Sequence, residues 1–208
     1  MSIPVILADD HALVRSGVES LLAGSGFAVV ASVATGAAAL AAIAEHDPAI
    51  AILDVRMPEG TGIEVLEAMR ARGDRRPVVL LTADLEDRKL LAALDAGVEG
   101  IVMKEGGESH LVACLNAVRA GGRYIPADLL ARAERISEAE ASSPFKRLSP
   151  REAEMAWMVG QGMRNREIAD RFELSEGAVK FALHAIYKKL EVTTRTELAL
   201  LLQRYGYG

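Results

Sequence analysis

The sequence predicts two domains, an α/β domain on a doubly wound, five-stranded parallel sheet and a smaller all-helical domain after it. Two observations lead to this prediction. Short, charge-free aliphatic runs alternate with helical segments in the first part of the chain, as is typical of parallel strands buried on both faces. The last part of the chain is helical throughout. With 208 residues, 50% of them hydrophobic, the chain can bury two modest cores.

The predicted elements alternate regularly through the first domain. Strands are expected near residues 3–8, 27–33, 49–54, 78–82 and 99–103, and helices near 12–23, 36–46, 63–72, 86–96 and 108–120. This alternation implies right-handed βαβ crossovers. The flavodoxin-like strand order 2-1-3-4-5 then places the switch point between the first and third strands.

Three acidic residues follow the strands on either side of that switch point. Asp9 and Asp10 come directly after the first aliphatic run, and Asp54 closes the third. Ligands of open α/β sheets bind outside the carboxyl ends of the strands. Carboxylates gathered there repel one another, so we expect them to hold a hard divalent cation such as Mg²⁺.

Two later strands end in residues that would bind a phosphoryl group. Thr82 closes the fourth run and Lys104 follows the fifth. A carboxylate nucleophile, a metal ion, a hydroxyl and a fixed positive charge together suit phosphoryl transfer onto an aspartate. In this interpretation Asp54 attacks phosphorus, Asp9 and Asp10 hold Mg²⁺, and Lys104 and Thr82 bind the transferred group.

These residues give the chain, as far as about Arg123, a pattern that resembles the receiver domain of two-component response regulators. The matching positions are Asp9-Asp10, Asp54-Val55-Arg56-Met57-Pro58 with Gly62, Thr82-Ala83 and Lys104. The resemblance implies that a sensor histidine kinase phosphorylates Asp54. It also implies that Asp10, Asp54 and the backbone carbonyl of Arg56 bind the metal directly, with Asp9 acting through a water molecule.

The chain departs from the receiver pattern at two places. Ile101 stands where the family often carries an aromatic residue that reports phosphorylation, so a switch here would rely on Thr82 and on backbone shifts. Arg56 and Asp84 lie two residues after Asp54 and Thr82, respectively. An ion pair between them across the mouth of the site could shield the phosphoryl group from water.

Residues 1–124 are therefore expected to form the receiver, 125–143 a linker that is helical around Ala127 to Arg135, and 144–208 the second domain. The formal charge of the whole chain is −5. Residues 144–208 hold 11 Lys and Arg against 8 Asp and Glu, so this segment is basic. Charge asymmetry of this kind favours a polyanionic partner for the basic end.

The second domain shows a helix-turn-helix pattern. Ser149-Pro150 is a strong helix start, another helix begins near Asn165, and 174–177 is a turn before a third helix. In that third helix Val179, Leu183, Ile186 and Leu190 form one apolar stripe, which leaves Lys180, Phe181, His184 and Lys188 off it. This arrangement is typical of a helix that enters the major groove of DNA.

This segment resembles the LuxR-type (NarL/FixJ) DNA-binding domain across most of residues 148–203. The matching stretches are Leu148–Glu152, Asn165–Ala169, Leu174–Lys180, Ile186–Leu190 and Arg195–Glu197. The resemblance implies that Lys180, Phe181 and His184 face base edges, while Asn165, Arg166, Lys188 and Arg195 approach phosphates. Ala178 and Ala182 replace polar residues of the family, so we expect weak binding by one copy and dependence on a homodimer.

Several further expectations concern the rest of the chain. The last helix, 196–203, is expected to form a dimer surface made available by phosphorylation. Its apolar residues are Leu198, Ala199, Leu200, Leu201 and Leu202, and Leu198 and Leu202 share one face. Cys114, Trp157 and Tyr187 are expected in the cores, whereas His11 and His46 are interpreted as neither ligands nor bases. No run is long enough for a membrane span, which favours a cytoplasmic protein without a membrane partner.

The sequence favours a transcriptional regulator, not an enzyme, controlled by phosphorylation from a sensor histidine kinase and binding double-stranded DNA. One alternative is a regulator that acts through a protein partner and binds DNA weakly or without specificity. A second is a haloacid-dehalogenase-like phosphatase. That class is disfavoured because Arg56 stands where its general acid would be expected.

Overall fold

The computed structural model describes residues 2–104 and 108–205, and within them it contains one sheet of five parallel strands. These are β1 (Ile3–Ala8), β2 (Phe27–Val33), β3 (Ile50–Asp54), β4 (Val78–Thr82) and β5 (Gly100–Met103). Their order is β2-β1-β3-β4-β5, which confirms the predicted topology. Every residue of β3 and β4 is buried, as expected for strands covered on both faces.

The helices of the first unit cover both faces of this sheet. They are α1 (Ala12–Leu22), α2 (Gly36–His46), α3 (Gly62–Ala71), α4 (Asp87–Asp95) and α5 (Glu108–Arg119). Buried residues of α1 and α5 pack with Val5, Leu7 and Ile52 on one face of the sheet. Those of α2, α3 and α4 pack with Ile6 and Leu53 on the opposite face. The alternation of strand side chains between the two faces therefore builds two separate cores.

The pairing of the strands brings the acidic residues together. Ala8 of β1 pairs with Leu53 of β3, so Asp9 and Asp54 follow neighbouring positions at the same edge of the sheet. The start of α3 passes close over this edge, because a Cβ atom on Gly62 would lie 2.3 Å from the carbonyl oxygen of Asp54. Only glycine fits at that position without moving the backbone.

The segment expected as a linker contains one continuous helix, α6 (Ala127–Ala141), which extends beyond the predicted Arg135. Leu129 and Ala133 are buried in the same core as α4. The chain divides into two compact units, Met1–Glu134 and Arg135–Gly208. The first half of α6 thus belongs to the α/β unit, while the functional limits 1–124, 125–143 and 144–208 stay a prediction.

The second unit is helical. After a 3₁₀ turn at Pro144–Arg147 come α7 (Pro150–Gly160), α8 (Asn165–Phe172), α9 (Glu176–Leu190) and α10 (Arg195–Arg204). The predicted start of α7 is a capping box. The Ser149 hydroxyl accepts a hydrogen bond from the Glu152 amide, and the Glu152 carboxylate accepts one from the Ser149 amide. The predicted apolar stripe of α9 is buried at Val179, Leu183, Ile186 and Leu190.

Two expectations for this unit are wrong. Leu198 and Leu202, expected at the dimer surface, are 0% and 2% exposed and fill the core of a single chain, whereas Leu200 of the same predicted surface is 59% exposed. The two buried leucines are used in the core because α10 packs against α7. Trp157, expected in the core, is 44% exposed. No helix among the residues that the structure describes is long and apolar enough to cross a membrane.

Candidate functional site

The centre of the first site is a lysine shared by two buried aspartates. Lys104 Nζ lies 2.7 Å from Asp9 Oδ2 and 3.1 Å from Asp54 Oδ2. The two carboxylates follow β1 and close β3, and the lysine follows β5, so the three groups converge at the carboxyl edge of the sheet. The ammonium group therefore neutralises part of the negative charge that the two acids bring to this edge.

The remaining acid of the pair lies at the rim. Asp10 is exposed, and its Oδ1 is 2.7 Å from His11 Nδ1. Asp9, Asp10, His11 and Asp54 each offer one ligand atom, and these four atoms lie within 4.8 Å of one another. The structure thus brings together the three predicted acids and adds His11, which was predicted to be neither a ligand nor a base.

The buried oxygens of this cluster fit a hard divalent cation. Asp9 is fully buried, and the contact of its Oδ2 is the 2.7 Å ion pair with the Lys104 ammonium group. A carboxylate oxygen has two lone pairs, so the ion pair with Lys104 leaves Asp9 able to bind a metal ion as well. Burial raises the pKa of the Asp54 carboxyl, whereas Lys104 and the backbone of Arg56 act in the opposite direction. The oxygen-rich donor set suits Ca²⁺ or Mg²⁺ better than a soft metal.

Thr82 is buried at the end of β4, one residue beyond the residue that pairs with Asp54. Its hydroxyl donates to the carbonyl oxygen of Asp84 at 2.5 Å and accepts from the Asp84 amide at 3.3 Å. The hydroxyl is therefore engaged in the loop after β4. It must leave the Asp84 carbonyl before it can donate to a phosphoryl group.

The two departures from the receiver pattern differ in their surroundings. Arg56 and Asp84 are exposed, and within the described part of the chain they form no ion pair with each other. Asp84 Oδ1 instead accepts from the Leu85 amide at 2.8 Å. Ile101 is 0% exposed and packs in the core on the side of α4. A rotation of this side chain toward solvent would uncover apolar surface and is unfavourable.

One residue of the site was missed by the sequence analysis. Arg15 Nη1 donates to the backbone carbonyl oxygen of Asp9 at 2.7 Å, and so ties α1 to the turn that carries the acidic pair. The amide of His11 also donates to Asp9 Oδ1, at 2.8 Å. No pattern in the sequence indicates the arginine contact, because it depends on the angle at which α1 leaves β1.

The second site lies along α9 in the helical unit. A shallow groove of about 690 Å³ is lined by Asn165, Gly177, Lys180, Phe181, Leu183, His184, Tyr187, Thr193 and Arg195. The structure thus gathers the three predicted base-reading residues, Lys180, Phe181 and His184, on one wall. All three are exposed, as they lie off the buried stripe of α9. The charged residues in the lining, Lys180 and Arg195, are both positive, and a positively charged groove along an exposed helix suits a polyanion.

The predicted phosphate-binding residues do not share one environment. Arg166 and Lys188 are exposed and do not line the groove. Arg195 donates to Asn165 Oδ1 at 3.3 Å and also to the carbonyl oxygen of Met163. These bonds join the start of α10 to the turn before α8. Asn165 and Arg195 therefore stabilise this corner of the unit, in addition to the phosphate contacts predicted for them.

Comparison with protein families follows the same division of the chain. Residues 5–116 match the response regulator receiver domain, and residues 146–202 match the bacterial regulatory proteins of the luxR family. The chain belongs to the LuxR-type response regulators. Proteins of this family regulate transcription, so this response regulator combines a receiver with a DNA-binding unit. The alternative of a protein-partner output is not favoured.

Curated relatives match this response regulator over nearly their whole length. The transcriptional regulatory protein LnrK of Bacillus subtilis is 30% identical, and the match covers 98% of each sequence. The response regulator GacA of Pseudomonas aeruginosa is 33% identical, with 98% of this chain and 97% of GacA covered. The order and extent of the two matched regions are therefore shared with regulators of known class.

Solved structures agree with this assignment. The response regulator RcsB of Salmonella enterica serovar Typhimurium, bound to promoter P1flhDC with the phosphomimetic BeF₃⁻, is 28% identical, with a TM-score of 0.66. The match covers 97% of this chain and 98% of RcsB. Another structure shows two RcsB dimers bound to two parallel DNAs, with 27% identity, a TM-score of 0.64 and 98% of each chain covered.

Proposed function

We propose that Asp54 is the phosphoacceptor and that a sensor histidine kinase is the phosphodonor. The observation that supports this most directly is the pair of contacts from Lys104 to Asp9 and Asp54, at 2.7 and 3.1 Å. An ammonium group held between a buried nucleophile and a buried metal ligand lies where a transferred phosphoryl group would need positive charge. Lys104 would then exchange a carboxylate partner for a phosphoryl oxygen.

The chemistry divides among named residues. An Asp54 carboxylate oxygen forms the new bond to phosphorus while the bond from phosphorus to the donor imidazole nitrogen breaks, and the nitrogen keeps the electron pair of the broken bond. Because the other ring nitrogen of the phosphohistidine carries a proton, the leaving group is a neutral imidazole on the kinase. Thr82 donates its hydroxyl hydrogen to a phosphoryl oxygen. Asp9, Asp10, Asp54 and the backbone carbonyl of Arg56 hold Mg²⁺, which neutralises charge on the phosphoryl oxygens when bound.

The DNA-binding part of the proposal assigns roles along α9. Lys180, Phe181 and His184 contact base edges, and Arg166 and Lys188 contact phosphates, aided by the corner that Asn165 and Arg195 build. Phosphate neutralisation supplies much of the affinity for DNA, and an excess of only three positive charges gives little of it. We therefore propose that the phosphorylated protein acts as a homodimer on two half-sites in the cytoplasm.

A labelling experiment tests the receiver. Acetyl phosphate with Mg²⁺ should add one hydroxylamine-sensitive phosphoryl group to the native protein. Asp54→Asn should take up none, because it lacks the nucleophilic carboxylate. Asp95→Asn, an exposed acid at the end of α4, is the matched control and should be labelled normally. Normal labelling of Asp54→Asn would refute the assignment.

A binding experiment tests the second unit. On a duplex selected by the native protein, Lys180→Ala should weaken binding by roughly 1–3 kcal/mol if the lysine contacts a base. Lys146→Ala removes the same charge from an exposed residue that does not line the groove. It should cost much less and only through salt-dependent binding. Equal losses in the two variants would argue against base contact by Lys180.

A further inference from the structure

Phe181 is exposed in a way that nothing within its own unit explains. Its side chain is 80% exposed, although α9 buries four other apolar residues and a phenylalanine normally contributes to a core. It lies three residues before His184, which in turn lies four residues after Lys180, so the His184 side chain neighbours both on the helix surface. An apolar ring therefore lies beside hydrogen-bonding side chains in the lining of the groove.

The lining of the groove limits which base edges it can recognise. Lys180 offers only donors, and the imidazole of His184 offers a donor as well. No carboxylate is among the residues described as lining the groove, so the usual acceptor for the cytosine amino group is absent from it. Purine N7 and O6 atoms suit the two polar residues. For the ring of Phe181, the apolar feature of a major-groove edge is the C5-methyl group of a pyrimidine.

We infer that Phe181 is a specificity-determining residue that selects a pyrimidine carrying a C5-methyl group at one position of each half-site. Thymine carries this methyl group, and so does 5-methylcytosine. The inference rests on the proposed binding of α9 in the major groove. It extends that proposal, because it assigns a chemical preference to one side chain and makes cytosine methylation a determinant of binding.

An alternative use of an exposed aromatic ring is stacking or insertion between bases. Side chains that wedge between base steps act from the minor groove in DNA-bending proteins. A helix-turn-helix protein instead places its second helix in the major groove, where side chains meet base edges and methyl groups. The polar neighbours Lys180 and His184 on the same face also favour edge contact.

The test begins with the full chain and a randomised duplex library, selected in the presence of beryllofluoride and Mg²⁺. Each thymine of the selected duplex is then replaced by deoxyuridine, which lacks only the methyl group. At one position per half-site this change should weaken binding by the native protein roughly fourfold, the worth of one buried methyl group. Phe181→Ala should bind the thymine and deoxyuridine duplexes equally. Phe181→Leu should keep part of the difference.

A second arm distinguishes the two sources of the methyl group. At the same position a cytosine-guanine pair should bind more weakly than thymine-adenine, and 5-methylcytosine should recover part of that loss for the native protein but not for Phe181→Ala. Lys180→Ala is the control, because it should weaken binding to methylated and unmethylated duplexes by the same factor. Equal melting temperatures of the variants would show that they fold.

The outcomes separate the inference from the proposed function. If no sequence is enriched by the native protein, specific DNA binding fails and the inference fails with it. If a sequence is enriched but deoxyuridine has no effect at any position, or Phe181→Ala keeps the full difference, only the inference is overturned. If thymine strengthens binding but 5-methylcytosine does not, the claim that cytosine methylation affects binding is overturned.

Discussion

Arg132 of α6 is ion-paired with Asp87 in the first turn of α4, with its Nε 2.7 Å and its Nη2 2.5 Å from Asp87 Oδ1. Leu129 and Ala133, on the same face of α6, are buried in the receiver core. Asp87 lies only three residues after Asp84, whose carbonyl oxygen accepts from the Thr82 hydroxyl. The start of α6 is therefore docked on the helix that follows the Thr82 loop.

This docking predicts a large difference between two adjacent leucines. Leu129 is 5% exposed, whereas Leu130 is 41% exposed. Leu129→Ala should lower the free energy of unfolding of the first unit by roughly 2–4 kcal/mol, because it leaves a cavity. Leu130→Ala should cost about 0.5 kcal/mol or less. Denaturant titration of both variants measures this, and similar losses would mean that α6 is not docked. The partly exposed ion pair of Arg132 with Asp87 should contribute at most about 1 kcal/mol.

The contacts of Lys104 predict opposite effects of two substitutions on metal affinity. Asp10→Ala should weaken Mg²⁺ binding, because it removes an anionic oxygen ligand. Lys104→Ala should leave Mg²⁺ binding intact or strengthen it, because it removes a cation that lies 2.7 Å from Asp9 Oδ2. Lys104→Ala should nevertheless impair stable phosphorylation of Asp54. Metal titration followed by calorimetry checks the first part. An equal loss of Mg²⁺ affinity in both variants would contradict these roles.

The contacts of Glu152 predict that the second unit loses stability in acid. Its pKa is lowered to about 2, chiefly by hydrogen bonds from Lys189 and from the Ser149 backbone. Because the folded value lies below the usual 4.5, this stabilisation is present above pH 4.5 and is lost as the pH falls toward 2. Glu152→Gln should remove that pH dependence and cost roughly 0.5–1 kcal/mol at neutral pH, as for a weakened helix cap.

The chain provides a convenient probe and a control for this measurement. Trp157 is the only tryptophan and lies in α7, so its fluorescence reports unfolding of the helical unit. Glu154→Gln, at an exposed position of the same helix, should leave the pH profile as it is in the native protein. If Glu152→Gln and the native protein lose stability in parallel between pH 4.5 and pH 2, the assignment to Glu152 is wrong.

Gly100 and Cys114 predict a strongly coupled pair in the receiver core. A Cβ atom on Gly100 would lie 2.4 Å from Cys114 Sγ, and burial raises the pKa of that thiol to about 12. Gly100→Ala should cost roughly 1–3 kcal/mol through overpacking. Combining it with Cys114→Ala should recover part of that loss, as a double-mutant cycle would show. The thiol should resist alkylation until the protein unfolds. Additive losses would argue against the predicted clash.

The sequence by itself determined the parallel α/β class of the first unit and the convergence of Asp9, Asp10, Asp54 and Lys104. In a parallel sheet, residues that end successive strands meet at one edge, so their positions along the chain are sufficient. The exposed face of α9 was equally predictable, because its apolar residues repeat with the period of a helix.

Only the tertiary structure decided what covers each apolar face and where the long side chains reach. Leu198 and Leu202 were predicted to lie at a dimer surface because helical periodicity marks an apolar face but does not name the element that packs on it. The same reason hid the docking of Leu129 on the receiver. Arg15 contacts Asp9, and Arg195 contacts Asn165, across angles between elements that no local pattern encodes. Periodicity is a property of neighbouring residues, whereas these contacts depend on how whole elements pack.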